Sequence, residues 1–588
     1  MNLQESDILR TLLYEPFINQ RILAETSRHS LAVVNRSLKR LMDDGYLDER
    51  ARLTEKAKEE IKEKAPRNAI ILAAGFGMRM VPINLTTPKA LLEVNEEKLI
   101  DRIIAQLNDA GVIDITVVVG FMKESFEYLI DEKGVELVVN EEYAEKNNLH
   151  SLALVADRIH NTYIVPCDIW CDRNPFNSTE LYSWYMVSDL VDEESSVRVN
   201  RKMELVTIPE KDAGNAMIGI AYLLEPEAAI IRERLKQLDD NKHAEDFWEK
   251  TLYRKDRMIV QARVARSSDV IEINTYEQLR DLDFDSNHLK SDAIHAIAAA
   301  LGCKDTDVTD IRVLKQGMTN RSFQFRANGE NYIMRIPGEG TDRLINRKEE
   351  AEVFRTISGL GLCDDPVYIN PENGYKITKY LDGIRRCDAE SVPDLKRCME
   401  KLKAFHEMKL RVDHTFDIFG QIERYETLWE GSPSVYKDYR KTKANVLSLR
   451  PFIDGLKKGW CLTHIDAVPD NFLFYTPDGT TKEQLQLIDW EYSGMQDPHV
   501  DIAMFCIYSL YSKRQCDRLI DIYFDGACDK TTRTKIYCYI AVCGLLWSNW
   551  CEYKRKLSVE FGEYSLCQYR FAKDYYRYAK ELMESEEE

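Results

Sequence analysis

The period of the apolar positions changes twice along the chain, and each change marks a different kind of domain. From Gln20 to Leu41 apolar residues recur at three- and four-residue spacings, as an amphipathic helix requires. Residues 1–65 therefore read as three short helices and a hairpin, with Asp43-Asp44-Gly45 as a turn before Arg52-Leu53-Thr54 and a charged helix. Pro66 breaks that helix, and Ala69-Ile70-Ile71-Leu72-Ala73 is a short unbroken apolar run, the pattern of a strand buried on both faces. From there to about residue 285, runs such as Ile115–Val119, Glu136–Val139 and Tyr163–Val165 alternate with helical segments such as Leu99–Ala110. That alternation predicts a mainly parallel sheet flanked by helices. The polar stretch 281–290 reads as a linker. Residues 291–588 open with a helix, pass through strands around 311–336 and continue mostly as helix, the order of a two-lobed α+β domain. The predicted domains are 1–66, 67–285 and 286–588.

Composition narrows the class. No apolar run approaches the roughly 18–20 residues of a membrane span, and MNLQESDILR lacks the form of a signal peptide, so a cytoplasmic protein is expected. The 14 cysteines are scattered without CxxC or zinc spacing, which fits a reducing compartment and indicates neither a disulfide frame nor structural zinc. A net charge of −19 argues against nucleic acid as the partner of the whole chain. Residues 1–65 resemble a MarR-like winged helix-turn-helix, whose second helix can enter the major groove. Lys and Arg equal Asp and Glu there, 12 against 12, so no basic footprint stands out and Arg36, Lys39 and Arg40 are the obvious phosphate contacts. Such modules also dimerise or dock proteins; DNA binding and a homodimer both stay open.

Two clusters carry chemistry. In the first, Ala74, Gly75 and Gly77 follow a strand, where a Cβ-free loop lets backbone N–H groups approach a triphosphate. Arg79 and, about ten residues on, Lys89 after Thr-Thr-Pro add cations. The pattern Leu72-Ala-Ala-Gly-x-Gly-x-Arg79…Pro-Lys89 resembles nucleotidyltransferases. Val119-Gly-Phe-Met-Lys-Glu124, Val139-Asn140 and Asn147-Asn148-x-x-Ser151 narrow the likeness to LicC-type CTP:phosphocholine cytidylyltransferases, over roughly 68–285. The resemblance implies a Rossmann-like (GT-A-like) mixed sheet and attack of a substrate phosphate on the α-phosphorus of CTP. It makes Arg79 and Lys89 the catalytic cations. It also implies Mg²⁺ held by Asp168 and by Asn274, where close relatives tend to carry Asp; Glu272 is a substitute. For a quaternary ammonium, aromatic faces are the natural receptor. Trp170, Tyr182, Trp184, Tyr185 and Trp248 are the candidates, with Trp170 and Tyr185 preferred.

The second cluster is His464-Ile-Asp466-Ala-Val-Pro-Asp470-Asn471 followed by Ile488-Asp489-Trp490-Glu491. Spaced acids and an amide of this kind suit phosphoryl transfer, one carboxylate as base and an Asn–Asp pair on Mg²⁺. Upstream, Gly317, Thr319 and Asn320 form a short turn between strands that would cover phosphates. Arg335 stands where protein kinases place a strand lysine, Glu350 on the next helix is its expected anchor, and Tyr380 sits in the hinge that would hold adenine. Together these resemble the choline kinase and aminoglycoside phosphotransferase superfamily over about 291–575, most closely LicA-type choline kinase. By that resemblance Asp466 is the base, Asn471 and Asp489 are Mg²⁺ ligands, and Trp547, Trp550 and Tyr564 form an aromatic choline box. Two consecutive reactions are then expected, choline with ATP to phosphocholine and phosphocholine with CTP to CDP-choline. Two alternatives remain: the same chemistry on ethanolamine or another amino alcohol, which would ask for more carboxylates and fewer aromatics, and a choline- or nucleotide-responsive regulator.

Overall fold

A computed structural model describes residues 1–588 apart from 78, 79, 81, 84–86, 210, 315–319, 339–344, 458, 478, 479, 557–560, 588 and the side chains of 585–587. The expected site residues Arg79, Gly317 and Thr319 lie outside the described residues. The chain folds as two units, Met1–His295 and Ala296–Glu588. The division falls within the helix Asp292–Leu301, beyond the stretch read as a linker. That stretch is packed on the first unit: Asn95 N–H donates to Asp283 Oδ2 (2.9 Å) and Ser286 Oγ–H to the Glu93 carbonyl (3.1 Å).

The first unit begins with helices Leu3–Tyr14, Gln20–Thr26, Leu31–Asp43 and Glu55–Glu63, each started by a side-chain cap (Asn2, Asn19, Ser30 and Thr54). The expected hairpin is reduced to one antiparallel bridge, Leu47 with Leu53. Ile8, Leu9, Val34, Leu38 and Leu41 close the small core together with Leu181 from the following domain. Polar contacts continue that seam. Asn161 Nδ2 donates to the Glu63 carbonyl (2.6 Å), Tyr222 OH to the Lys64 carbonyl (2.6 Å) and Tyr182 OH to Asp7 (3.3 Å). Arg10 lies 3.8 Å from Glu180, a fully buried carboxylate that also accepts both guanidinium nitrogens of Arg263 (2.9 and 2.8 Å) and the Tyr163 hydroxyl (2.9 Å). On the helix Leu31–Asp43, Arg36 and Lys39 are exposed, whereas Arg40 pairs with Glu5 at 3.3 Å.

The sheet is a mixed one of ten strands, as the resemblance implies, where the alternation of elements alone predicts a mainly parallel one. Its order is Glu136–Val139, Ile115–Val119, Asn68–Ala73, Thr162–Pro166, Gly214–Leu223, Trp184–Asp192, Arg257–Ala265, Glu204–Thr207 and Val197–Val199, with Tyr253–Arg254 on Arg257–Ala265. The first four strands are parallel, and Gly214–Leu223 runs against its neighbours. Alternate residues of the first strand feed two cores: Ala69, Ile71 and Ala73 join one face, Ile70, Leu72 and Ala74 the other. The winged module docks where strands Asn68–Ala73 and Thr162–Pro166 begin, so their carboxyl ends, where Ala74 and Asp168 lie, are at the opposite edge.

The second unit carries an antiparallel sheet in the order Thr309–Val313, Asn320–Ala327, Glu330–Pro337, Lys376–Lys379 and Pro366–Ile369, with the helix Arg347–Ile357 inserted before the last two strands. A mainly helical lobe follows, built around the paired helices Lys530–Lys556 and Glu563–Glu587. Among the described residues no helix is long and apolar enough to cross a membrane.

Candidate active sites

In the first unit, residues distant in sequence meet beyond the strand ends. Lys89 is almost fully buried, and its Nζ donates to Asp168 Oδ2 (2.5 Å) and to Asn274 Oδ1 (2.8 Å). Gly77 takes a left-handed conformation (φ 67°), and a Cβ there would come within 3.3 Å of the Lys89 Cβ. The Ala74 carbonyl accepts the N–H of Phe121 (3.1 Å), and a Cβ on Gly120 would meet that carbonyl at 2.8 Å and Tyr143 at 2.7 Å. Three expected residues, Lys89, Asp168 and Asn274, are thus brought together, with the glycine loop folded against them. The Asn147-Asn148 motif acts elsewhere: Asn147 N–H donates to the Ala244 carbonyl (2.6 Å) and Asn148 Oδ1 accepts from Trp248 N–H (2.8 Å). The Asn148 bond holds the first residue of the turn Trp248–Leu252, which carries a residue that motif reading overlooked, Glu249. Burial pushes the Glu249 carboxyl up to about 7, with the negative charges of Glu272 and Asp168 adding to the rise.

The aromatic expectations resolve differently. Trp170 and Tyr185 are buried, the first under the guanidinium of Arg102 (4.1 Å to the ring centroid), the second with its OH donating to Glu249 (3.0 Å).

In the second unit the catalytic-loop motif is held from beneath. His464 N–H and Ile465 N–H donate to Asp501 (3.0 and 2.7 Å), which also pairs with His406 Nε2 (2.9 Å). Ile465 is thereby kept at φ 71°, a left-handed conformation that a β-branched residue rarely adopts. The His464 ring lies against the Ile488 carbonyl (2.9 Å), and burial drops its pKa to about 4, so it supports the loop as a neutral imidazole. Asn471 Nδ2 donates to the Asp466 carbonyl (2.9 Å) and carboxylate (3.1 Å). Burial pushes Asp466 up to about 7, and Glu491 adds to it. Asp489, at φ 67°, rises well above the usual range through burial and the charges of Glu491 and Asp466.

Arg335 bonds Glu350 as expected (2.5 Å) and donates to the Gly374 carbonyl (3.2 Å). Glu491, given no role in the motif reading, ties the cleft together: Asn320 Nδ2 donates to it (2.9 Å), Arg347 lies at 3.4 Å and Arg335 at 3.9 Å. Tyr380 follows the strand Lys376–Lys379 and its N–H donates to the Asn331 carbonyl (3.0 Å). Trp547 and Trp550 lie on one helix, and their neighbours form an aromatic series. Tyr492 is 6.3 Å from Trp547, Phe561 is 5.0 Å from Trp550 and 6.3 Å from Tyr564, and Tyr564 is 6.2 Å from Tyr508.

Comparison with known proteins assigns the domains that carry these residues. The choline/ethanolamine kinase family matches residues 311–527, the MobA-like NTP transferase domain 69–176, and the winged helix-turn-helix DNA-binding family 1–48. The choline-phosphate cytidylyltransferase of Streptococcus pneumoniae is 31% identical over 226 residues, covering 37% of this chain and 96% of that protein. The chain belongs to the cytidylyltransferase family. The 2-aminoethylphosphonate cytidylyltransferase of Lancefieldella rimae is 35% identical over 201 residues, 31% of this chain and 77% of that protein. The protein LicA of Haemophilus influenzae is 27% identical over 267 residues, 42% of this chain and 95% of that protein. The cytidylyltransferase is therefore fused to a kinase domain, and the chain combines nucleotidyl and phosphoryl transfer.

Proposed function

We propose that the chain activates a small amino alcohol in two consecutive steps, choline being the substrate expected from the sequence. The kinase domain would join the γ-phosphoryl group of ATP to the alcohol oxygen. The cytidylyltransferase domain would then join that phosphate to the CMP moiety of CTP with release of pyrophosphate. The carrying observation is the convergence of Lys89, Asp168 and Asn274 in one unit and of Asp466, Asn471 and Asp489 in the other.

The donor sets suit a hard divalent cation such as Mg²⁺. In the kinase cleft Glu350 and Glu491 pair with the guanidinium groups of Arg335 and Arg347, and the charge of Glu491 adds to burial in raising the carboxyls of Asp466 and Asp489. In the cytidylyltransferase Asp168 Oδ1 is buried without a hydrogen-bond partner among the described residues. Asn471 and Asp489 would hold the ion in one site, Asp168 and Asn274 with Glu272 in the other. Bound there, Mg²⁺ would supply positive charge to the phosphate oxygens of the nucleotide. Asp466 takes the hydroxyl proton as the alcohol oxygen attacks, a role suited to a carboxyl near 7. Arg335, fixed by Glu350, and the Asn320 turn orient the phosphates. Lys89 offers its charge at the phosphate of the other step, with Gly77 keeping the loop close to it. The aromatic series around Trp547 and Trp550 would receive the ammonium of the alcohol.

The test is direct: purified protein with ATP, CTP, Mg²⁺ and choline or ethanolamine, products resolved by mass. A CDP-linked amino alcohol is expected, and absence of both the phosphorylated alcohol and its CDP derivative would overturn the proposal. A gel shift with upstream DNA at stated salt tests the winged module separately.

A further inference from the structure

We propose that the helical lobe of the second unit carries a binding site for an oligophosphate, a diphosphate or longer, either free or borne on a nucleotide. The site is a groove of about 1050 Å³ where the helices Val392–Glu407 and Lys513–Tyr523 face each other, and no residue of either candidate active site lines it. Lys396 and Glu400 stand four residues apart on one wall. Arg514, Arg518 and Ile522 recur at the same spacing on the other, so a single stripe of that helix faces the groove.

The charges of this groove do not balance. Three acids that line it are already engaged: Asp517 with Lys513 (2.9 Å) and Arg533 (3.2 Å), Asp521 with Arg533, and Asp525 with Lys403 (2.7 Å). Among the described residues Lys396, Arg514 and Arg518 have no ion-pair partner, and Glu400 is the one lining acid left to oppose them. Arg518 is half-buried, and its Nε and Nη2, the two nitrogens of one bidentate edge, are buried without a hydrogen-bond partner among the described residues. Folded proteins normally supply an acceptor to such donors. That edge matches two oxygens of a phosphate group. Rotation of the terminal torsions would turn it into the groove that the side chain already lines.

The walls are fastened to each other at both ends. Gln515 Nε2 donates to Glu390 Oε1 (3.0 Å) just before the first helix begins. At the far end Tyr523 OH and His406 Nδ1 lie 2.8 Å apart, and Lys403 reaches Asp525. Between those fastenings, Arg514 and Arg518 meet no partner on the opposite helix among the described residues. A space held open in this way asks little reordering of the protein when a ligand enters. Arg514 and Arg518 are one turn apart, about 6 Å along the helix axis. A single phosphate can meet one of these guanidinium groups fully; a chain of two or more can meet both, with Lys396 on the facing wall.

Hydrogen–deuterium exchange of the full chain, read over residues 392–407 and 513–523, tests the site with pyrophosphate, CDP and inorganic phosphate as separate probes. Pyrophosphate or CDP should slow exchange in both helices, with a Kd at least tenfold below that of inorganic phosphate. Tighter binding of pyrophosphate marks a free oligophosphate as the ligand, and tighter binding of CDP a nucleotide-borne one. Arg514→Ala combined with Arg518→Ala should abolish the protection while both catalytic steps keep their initial rates. Glu400→Gln, which removes the opposing charge, should lower the Kd at least threefold. Lys396→Ala, at an exposed position, gives a variant that folds even where the double variant does not, and should raise the Kd at least fivefold. No protection of these helices by pyrophosphate or CDP, equal protection by inorganic phosphate, or protection unchanged in the arginine and lysine variants overturns the site. Each of those results leaves the two-step function standing.

Discussion

Asp501 lies 35 residues from Asp466 in sequence and touches no expected substrate, yet its replacement should disable the kinase. Its fully buried carboxylate holds the backbone N–H groups of His464 (3.0 Å) and Ile465 (2.7 Å) and pairs with His406 (2.9 Å). Asp501→Asn keeps one acceptor oxygen but turns an NH₂ toward groups that also donate. A hydrogen bond to a charged group contributes about 1.5–3 kcal/mol, and losing at least one while weakening the others places the cost at roughly 3–4 kcal/mol. The left-handed conformation of Ile465 (φ 71°) stores about 1–2 kcal/mol that those bonds offset, so the loop relaxes once they weaken. Asp466 then leaves its place beside Asn471. Steady-state kinetics should show kcat lower by at least a hundredfold and KM for ATP within a few-fold, because Arg335 and Glu350 are untouched. Thermal unfolding should report the stability loss, while cytidylyl transfer by the same sample continues. A kcat within threefold of the parent, with the stability loss present, would refute the reasoning.

Two further outcomes follow from the same geometry. Asp466 must be ionised to accept a proton, and burial with Glu491 beside it raises its pKa to about 7, so kinase kcat should fall as pH drops through neutrality and level off above it. A profile flat down to pH 5 would contradict Asp466 as the base; the same raised pKa means that this group favours the folded state least at alkaline pH. Glu180→Gln leaves Arg263 buried against a neutral partner, which costs about 3–5 kcal/mol. Differential scanning calorimetry should show the transition of the first unit lowered, whereas Arg10→Ala, removing a longer and more exposed contact, should shift it little.

Much of this was legible before folding. The period change at Pro66 and the strand Ala69–Ala73 located the nucleotidyltransferase, and short-range spacing revealed the glycine loop and the catalytic loop. Strands expected at Ile115–Val119 and Glu136–Val139 occupy those spans. Legibility failed where a property depends on distant partners. The sheet is mixed because Gly214–Leu223 inserts antiparallel beside Thr162–Pro166, a pairing that local periodicity does not encode. Asp501 and Glu491 act through backbone N–H groups and guanidinium groups contributed by other elements. An aromatic residue looks the same in sequence whether its face is open or, like Trp184, covered by an arginine from the neighbouring strand. Glu249 carried no motif; its signal is a carboxylate beside Trp in a turn anchored by Asn148.

The central claim is that one chain holds two independent catalytic centres serving successive steps. Its most direct test compares Asp466→Ala with Asp168→Ala in full-length protein given ATP, CTP, Mg²⁺ and the amino alcohol, or CTP and the phosphorylated alcohol, with products resolved by mass. The account predicts that Asp466→Ala forms no phosphorylated alcohol but still makes the CDP derivative from added phosphorylated alcohol. Asp168→Ala should accumulate the phosphorylated alcohol and make no CDP derivative. Loss of both activities in either variant, with both units still folded, would contradict two independent sites.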